Sequence, residues 1–163
     1  MNELHIPPTI KLMITAPDAP SLILVFILGF LTAQLIKCII FVVSQKQQHK
    51  KVSQKQILEY MTKSGGMPSG HAASFVAATM YIGLSQGFNS PLFGLAFCIA
   101  AIVIYDAMNV RYAVGEQGKI LTQIIKKQKY TIPTPQIVEG HTLPQVIAGS
   151  ILGFLIALIV FIL

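Results

Sequence analysis

Residues 22–43 read LILVFILGFLTAQLIKCIIFVV, and this stretch decides which kind of fold the chain can adopt. Its 22 residues carry one charge, Lys37. At about 1.5 Å per residue, a helix of this length crosses the roughly 30 Å hydrocarbon core of a bilayer. Lys37 lies near the end of the run, where its ammonium is expected to snorkel to the interface. The rest of the 163-residue chain agrees, with 53% apolar residues, 11% charged and a mean hydropathy of +0.66. Soluble domains carry about 25% charged residues. The composition excludes a disordered chain and argues against a soluble globular domain, which leaves a polytopic membrane protein.

Three further segments read as spans. Residues 68–87 open on Pro68-Ser69-Gly70-His71 and continue as a helix rich in Ala, Gly, Ser and Thr. Small residues suit close packing against other helices better than contact with lipid, so this is expected to be an interior span. Residues 91–107 form an apolar run after the short link Asn89-Ser90, and residues 144–163 form another, with Pro144 suited to a first helical turn. Between the spans lie two basic stretches. Residues 44–63 contain a partial apolar stripe, and residues 111–129 place Ile120, Leu121, Ile124 and Ile125 at helical spacing. Both read as helices lying on the membrane surface. The expected fold is therefore an all-α integral membrane bundle of about four spanning helices plus one or two interfacial helices. It forms a single domain over residues 1–163.

Charge sets the orientation. Ten of the twelve basic residues fall in two loops, five within 44–70 and five within 108–143, and the link between the middle spans has none. The positive-inside rule puts both loops in the cytoplasm. The net charge of +6 then reflects loops facing an anionic membrane rather than a nucleic-acid partner. Cys38 and Cys98 sit in apolar runs and read as small buried hydrophobes, not as disulfide or metal ligands. Residues 1–20 mix Glu3, Lys11 and Asp18, unlike a signal peptide.

Six ionisable residues gather at this cytoplasmic end: Lys63, His71, Asp106, Arg111, Glu139 and His141. Three separate regions of sequence thus deliver polar groups to one membrane face, which is the main physical argument for a site. The glycine-rich turn before His71 leads into a helix N-terminus, a natural environment for an anion. Arg111 offers planar bidentate donors for phosphate oxygens. Two histidines can divide nucleophile and acid duties near neutral pH. Each feature also has a plainer reading: a histidine at a helix start as a cap, the lysines as topology determinants, and Asp106 as the ion-pair partner of Arg111.

Pro68-Ser69-Gly70-His71 matches the PSGH motif of the type 2 phosphatidic acid phosphatase superfamily, which includes vanadium-dependent haloperoxidases. More closely, GGMPSGHAAS, YDAMNVRYAVGEQ and EGHTLPQVIAGSILG resemble the small divergent branch of that superfamily. The resemblance runs from about Leu22 to Leu163. It implies metal-independent hydrolysis of a phosphate or pyrophosphate ester on a lipid, through a phosphohistidine and with no cofactor. On this pattern His141 is the nucleophile and His71 the general acid, while Ser69, Gly70, Arg111 and Lys63 hold the phosphate. Three departures stand out. No Lys-x6-Arg-Pro element precedes the motif, and Arg111 lies far from His141 in sequence. Position 145 is Gln, where the pattern has the carboxylate that orients the nucleophile. Asp106 is the expected third catalytic residue, supplying that missing charge, with Glu139 as the alternative. The competing function is a non-catalytic binder or scaffold for phosphorylated lipid. The expected partners are the bilayer and its lipid phosphates, with a homo-oligomer left open.

Overall fold

The structure is a computed structural model and describes residues 19–49, 52–62, 65–129, 131–135, 137 and 140–163. Six helices follow one another among the described residues: α1 (Ala19–Gln47), α2 (Gln54–Thr62), α3 (Gly70–Gln86), α4 (Pro91–Met108), α5 (Val110–Lys127) and α6 (Leu143–Ile162). Local sequence marks their starts. Ser69 and Ser90 cap α3 and α4, their hydroxyls accepting from the amides of Ala72 and Phe93. Pro91 and Pro144 occupy first turns, where the missing N–H is not needed. Ser53 and Gln56 exchange side chain–backbone hydrogen bonds of 2.9 and 3.3 Å at the start of α2.

The innermost element is α3, which packs against α1, α4 and α6. Its small residues decide this. Ala72, Ala73, Ser74 and Ala77 are buried, and glycines on both neighbours allow close backbone approach. A Cβ on Gly149 would collide with the Ser69 carbonyl, and one on Gly153 with the Ala73 carbonyl. On α1, Gly29 does the same job; a Cβ there would lie 2.9 Å from the Ala73 oxygen. Without a hydrophobic driving force between helices in lipid, van der Waals packing of this kind carries association. The outward faces of α1, α4 and α6 keep Leu24, Leu31, Leu35, Phe97, Ile102 and Ile151 exposed, as contact with acyl chains requires.

Among the described residues, three segments are long and apolar enough to cross a membrane: α1, α4 continuing into α5, and α6. α3, expected as the second of four spans, has 17 residues and is about 25 Å long, short of the roughly 30 Å hydrocarbon core. It is enclosed by the other helices rather than presented to lipid. α5 is the amphipathic helix expected near 111–129; Gly115 and Ile125 are buried while Ile120, Leu121 and Ile124 remain uncovered. α2 is the counterpart within 44–63, docked on α1 by stacking of Tyr60 on Phe41 with ring centroids 4.3 Å apart.

Candidate active site

The end of α3 that starts at Gly70 is where the polar residues converge. Gly65 and Gly66 turn the chain with φ of 91° and 81°, the left-handed region that glycine adopts without strain. The turn delivers Ser69 to a fully buried position. There its amide donates to the Gln145 carbonyl at 2.9 Å, its hydroxyl accepts from Ala72, and its carbonyl accepts from Ala73. Ser69 is thus committed to joining α3 to α6, and its backbone N–H is not available to a phosphate. The first amides of the helix, those of Gly70 and His71, have no intrahelical acceptor by geometry and form the positive end of its dipole.

His141 arrives from the other side. Its amide donates to the Ala107 carbonyl at 2.9 Å, which pins it to the end of α4, and its side chain is buried, with 5% exposed. The His71 and His141 rings stand 6.0 Å apart between centroids, at 67°. His141 Nδ1 lies 3.1 Å from Gln145 Oε1, and the same oxygen accepts the Thr142 amide at 3.1 Å. The Thr142 N–H is only a donor, so the atom it meets must be the amide oxygen, and Nδ1 of His141 must then carry its hydrogen. Nε2 is left with its lone pair free.

The hydrogen bond expected of Asp106 is made, among the described residues, by Gln145. Asp106 instead accepts from Arg111 Nε at 2.8 Å, and both side chains of this pair are about 40% exposed. Together with Lys37, that pair supplies the charge around His71. Arg111, distant from His141 in sequence, is brought to the site by the short break between α4 and α5. Lys63 and Glu139 lie outside the described residues.

Lys37 was misplaced by the sequence. Rather than snorkelling outward, it is 4% exposed and points inward. α1 continues ten residues beyond it, to Gln47. Lys37 also extends the stripe Val25, Gly29, Ala33 that faces α3. That i, i+4 spacing of small residues ending in a lysine was the available signal. The lysine stem runs along the glycine turn: a Cβ at Gly66 would lie 3.7 Å from Cδ and 3.8 Å from Cε of Lys37, and 3.2 Å from the Tyr60 hydroxyl.

Burial is the largest influence on the His141 imidazole and holds it below the ordinary histidine range. The Gln145 hydrogen bond opposes this, and the charges of Lys37, His71 and Arg111 reinforce it. The nucleophile candidate is thus neutral at physiological pH, held in one tautomer beside several cations. A tetrahedral oxyanion fits this combination of a free imidazole lone pair, a second imidazole and positive charge. Beside the site, a cavity of about 170 Å³ is lined by Gly66, Tyr112, Glu116, Lys119, Thr142 and Gln145. An apolar groove of about 280 Å³ between α1 and α6, lined by Ile36, Ile40, Ile151 and Leu155, ends at Met67 and Pro68. Among the described residues, no group of three or more His, Cys, Asp or Glu could hold a metal ion.

Comparison with known proteins agrees with the local motifs. The family described as "Divergent PAP2 family" matches residues 19–156. The uncharacterized membrane protein YuiD of Bacillus subtilis (strain 168) is 35% identical over 74 residues, covering 45% of this chain and 47% of that protein. The match thus spans about half of this relative's length. No solved structure matches.

Proposed function

Because the chain belongs to the divergent PAP2 family, we propose that it is a membrane phosphatase acting on a phosphate or pyrophosphate ester of a lipid, at the cytoplasmic face. The observation that carries this reading is the pair of histidine rings 6.0 Å apart, one of them fixed with its Nε2 lone pair free. In the proposed reaction His141 Nε2 attacks phosphorus, forming a P–N bond as the bond to the lipid oxygen breaks, and His71 gives its proton to the departing alkoxide. Water then attacks the phosphohistidine; the P–N bond breaks and His71 takes up the water proton. Arg111 and the first amides of α3 balance the charge on the phosphoryl oxygens. No step calls for a metal or cofactor. The groove ending at Pro68 offers an acyl or prenyl chain a place in the bilayer next to the reacting phosphate.

The test is phosphate release by the purified protein from a panel of lipid phosphates and diphosphates, with and without His141→Ala, alongside acid-labile trapping of a phosphoprotein. Turnover that His141→Ala abolishes supports the reading. His71→Ala should hurt alkyl esters more than an activated aryl phosphate, since a good leaving group needs no proton. Chelators should leave the rate unchanged and vanadate should inhibit; loss in EDTA restored by Mg²⁺ would sink the mechanism. A second reading, a non-catalytic binder of phosphorylated lipid, is favoured by the neutral Gln145 in place of a carboxylate. Saturable lipid-phosphate binding without release or trapping would establish it.

A further inference from the structure

Lys37 has no role in the mechanism above, yet it is the most buried cation among the described residues. A lysine held inside apolar helices with 4% of its surface exposed needs a counter-charge or hydrogen-bond acceptors. Among the described residues, no ion pair or hydrogen bond joins its ammonium to a partner. The nearest candidate on its own helix, the buried amide oxygen of Gln34 one turn earlier, is itself without a partner. The charge acts instead on the two histidines, as one of the groups perturbing both His71 and His141. Its stem lies beside the Gly66 turn, where the φ of 81° favours glycine and an added Cβ would approach the Tyr60 hydroxyl to 3.2 Å. Tyr60 is held there by stacking on Phe41, one turn beyond Lys37 on α1. A lysine whose length is buried, whose ammonium has no partner among the described residues, and whose charge acts on two imidazoles is arranged to receive an anion from outside.

We propose that Lys37 is a phosphate-binding residue of this site, reaching the phosphoryl oxygens from within α1. The ligand chemistry is a tetrahedral oxyanion, carried by a lipid headgroup or by free phosphate. This inference rests on the phosphatase reading for its substrate but not for its anion. The two cations differ in kind. Arg111 is half-exposed and already shares its Nε with Asp106, whereas Lys37 is buried and shares its charge with no described residue. A point charge in a site shielded from water acts on its ligand more strongly than an exposed one.

The experiment uses the purified full-length protein, with orthovanadate as probe and calorimetric affinity as readout. Lys37→Met, similar in length and uncharged, should weaken orthovanadate binding at least tenfold, or about 1.4 kcal/mol. Lys37→Arg should stay within about threefold, because it keeps the charge. In the lipid arm, with phosphatidic acid in phosphatidylcholine vesicles, Lys37→Met should raise KM and lower kcat together. A purely structural lysine would not be rescued by arginine in this pattern. A second measurement needs no variant: acetylation of Lys37 by acetic anhydride, followed by mass spectrometry, should be suppressed by orthovanadate. Wild-type affinity in a folded Lys37→Met protein, or acetylation of Lys37 indifferent to orthovanadate, overturns the proposal. Wild-type protein that binds orthovanadate through Lys37 but releases phosphate from no lipid defeats the hydrolysis reading and leaves this one standing. Wild-type protein that binds no orthovanadate defeats both.

Discussion

Replacing Gln145 by glutamate tests the least expected feature of the site. Gln145 Oε1 stands 3.1 Å from His141 Nδ1 and 3.1 Å from the Thr142 amide, so a carboxylate oxygen at the same place would keep both hydrogen bonds. What changes is charge. As His141 Nε2 bonds to phosphorus, the imidazole becomes cationic, and a glutamate at 145 would stabilise that charge where the amide only orients the ring. Hydrogen bonds to charged groups contribute about 1.5–3 kcal/mol against about 0.5–1.5 for neutral ones, so the gain is about 1 kcal/mol. At 1.36 kcal/mol per factor of ten, Gln145→Glu should raise kcat by several-fold to about tenfold. The fold should tolerate it, since an acid in the first turn of α6 also suits the helix dipole. The assay is single-turnover formation of the phosphoprotein with a lipid phosphate, compared with Gln145→Met, which removes the acceptor and should slow it by tenfold or more. Equal rates in all three proteins would mean that His141 is not oriented by position 145, and its assignment as nucleophile would be withdrawn. A well-folded Gln145→Glu protein with a reduced rate would show instead that added negative charge harms phosphate binding more than it helps the imidazole.

Five further outcomes are expected. His141 is held below its ordinary value of about 6.5, so the acid limb of kcat/KM should fall below that pH, and Lys37→Met should move it upward. For the same reason the unfolded chain takes up this proton first on acidification; stability is fully present above about 6.5 and declines as pH falls through the folded value, as a pH series of thermal melts would show. Asp106→Asn should cost little stability, because exposed ion pairs contribute roughly 0–1 kcal/mol, while Arg111→Ala should raise KM for lipid phosphate by tenfold or more; the reverse order would relocate the clamp. Gly149→Leu should drive α6 from the Ser69 carbonyl, lower the thermal midpoint and abolish activity together, whereas an unchanged melt would contradict the close approach. Cysteines placed at Lys50 and Lys127 should be labelled from the same, cytoplasmic side of the membrane.

Most of the fold was legible because the bilayer simplifies the problem. The apolar run 22–43 lies within α1, 91–107 within α4, and the run from 144 within α6, each bounded by a proline, a serine cap or a basic loop. The amphipathic stripe of 111–129 likewise emerged as α5. Less visible was the rank of α3: composition suggested an inner helix, but its 17 residues and its enclosure by glycines of α1 and α6 depend on backbone distances that no periodicity encodes. At the site, His71 and His141 were legible from their motifs. Ser69 was not fully so, because its burial and its bond to the Gln145 carbonyl arise only when α6 docks. Lys37 was misread because a single lysine in an apolar run fits a snorkelling residue and a buried one equally well until the end of the helix is known.

These departures from the superfamily pattern are physically linked. The pattern expects a cation shortly before the PSGH segment, an arginine shortly before the nucleophile, and a carboxylate behind it. Here the nearby lysine inside the bundle comes from α1, the arginine comes from the α4–α5 break, and the group behind the nucleophile is neutral. Lys37 and Arg111 both disfavour a cationic His141, and a neutral Gln145 offsets neither of them. Such a site favours the free imidazole before reaction and gives less help to the imidazolium-like charge that develops afterwards. Anion binding is thereby strengthened relative to turnover, which is the property that an enzyme acting on a scarce membrane phosphate and a binder of that phosphate would share. Which of the two this chain is depends on the step after capture. Gln145→Glu is therefore the more informative substitution, because it restores charge to the step of phosphoryl transfer while leaving Lys37 and Arg111 in place to hold the anion.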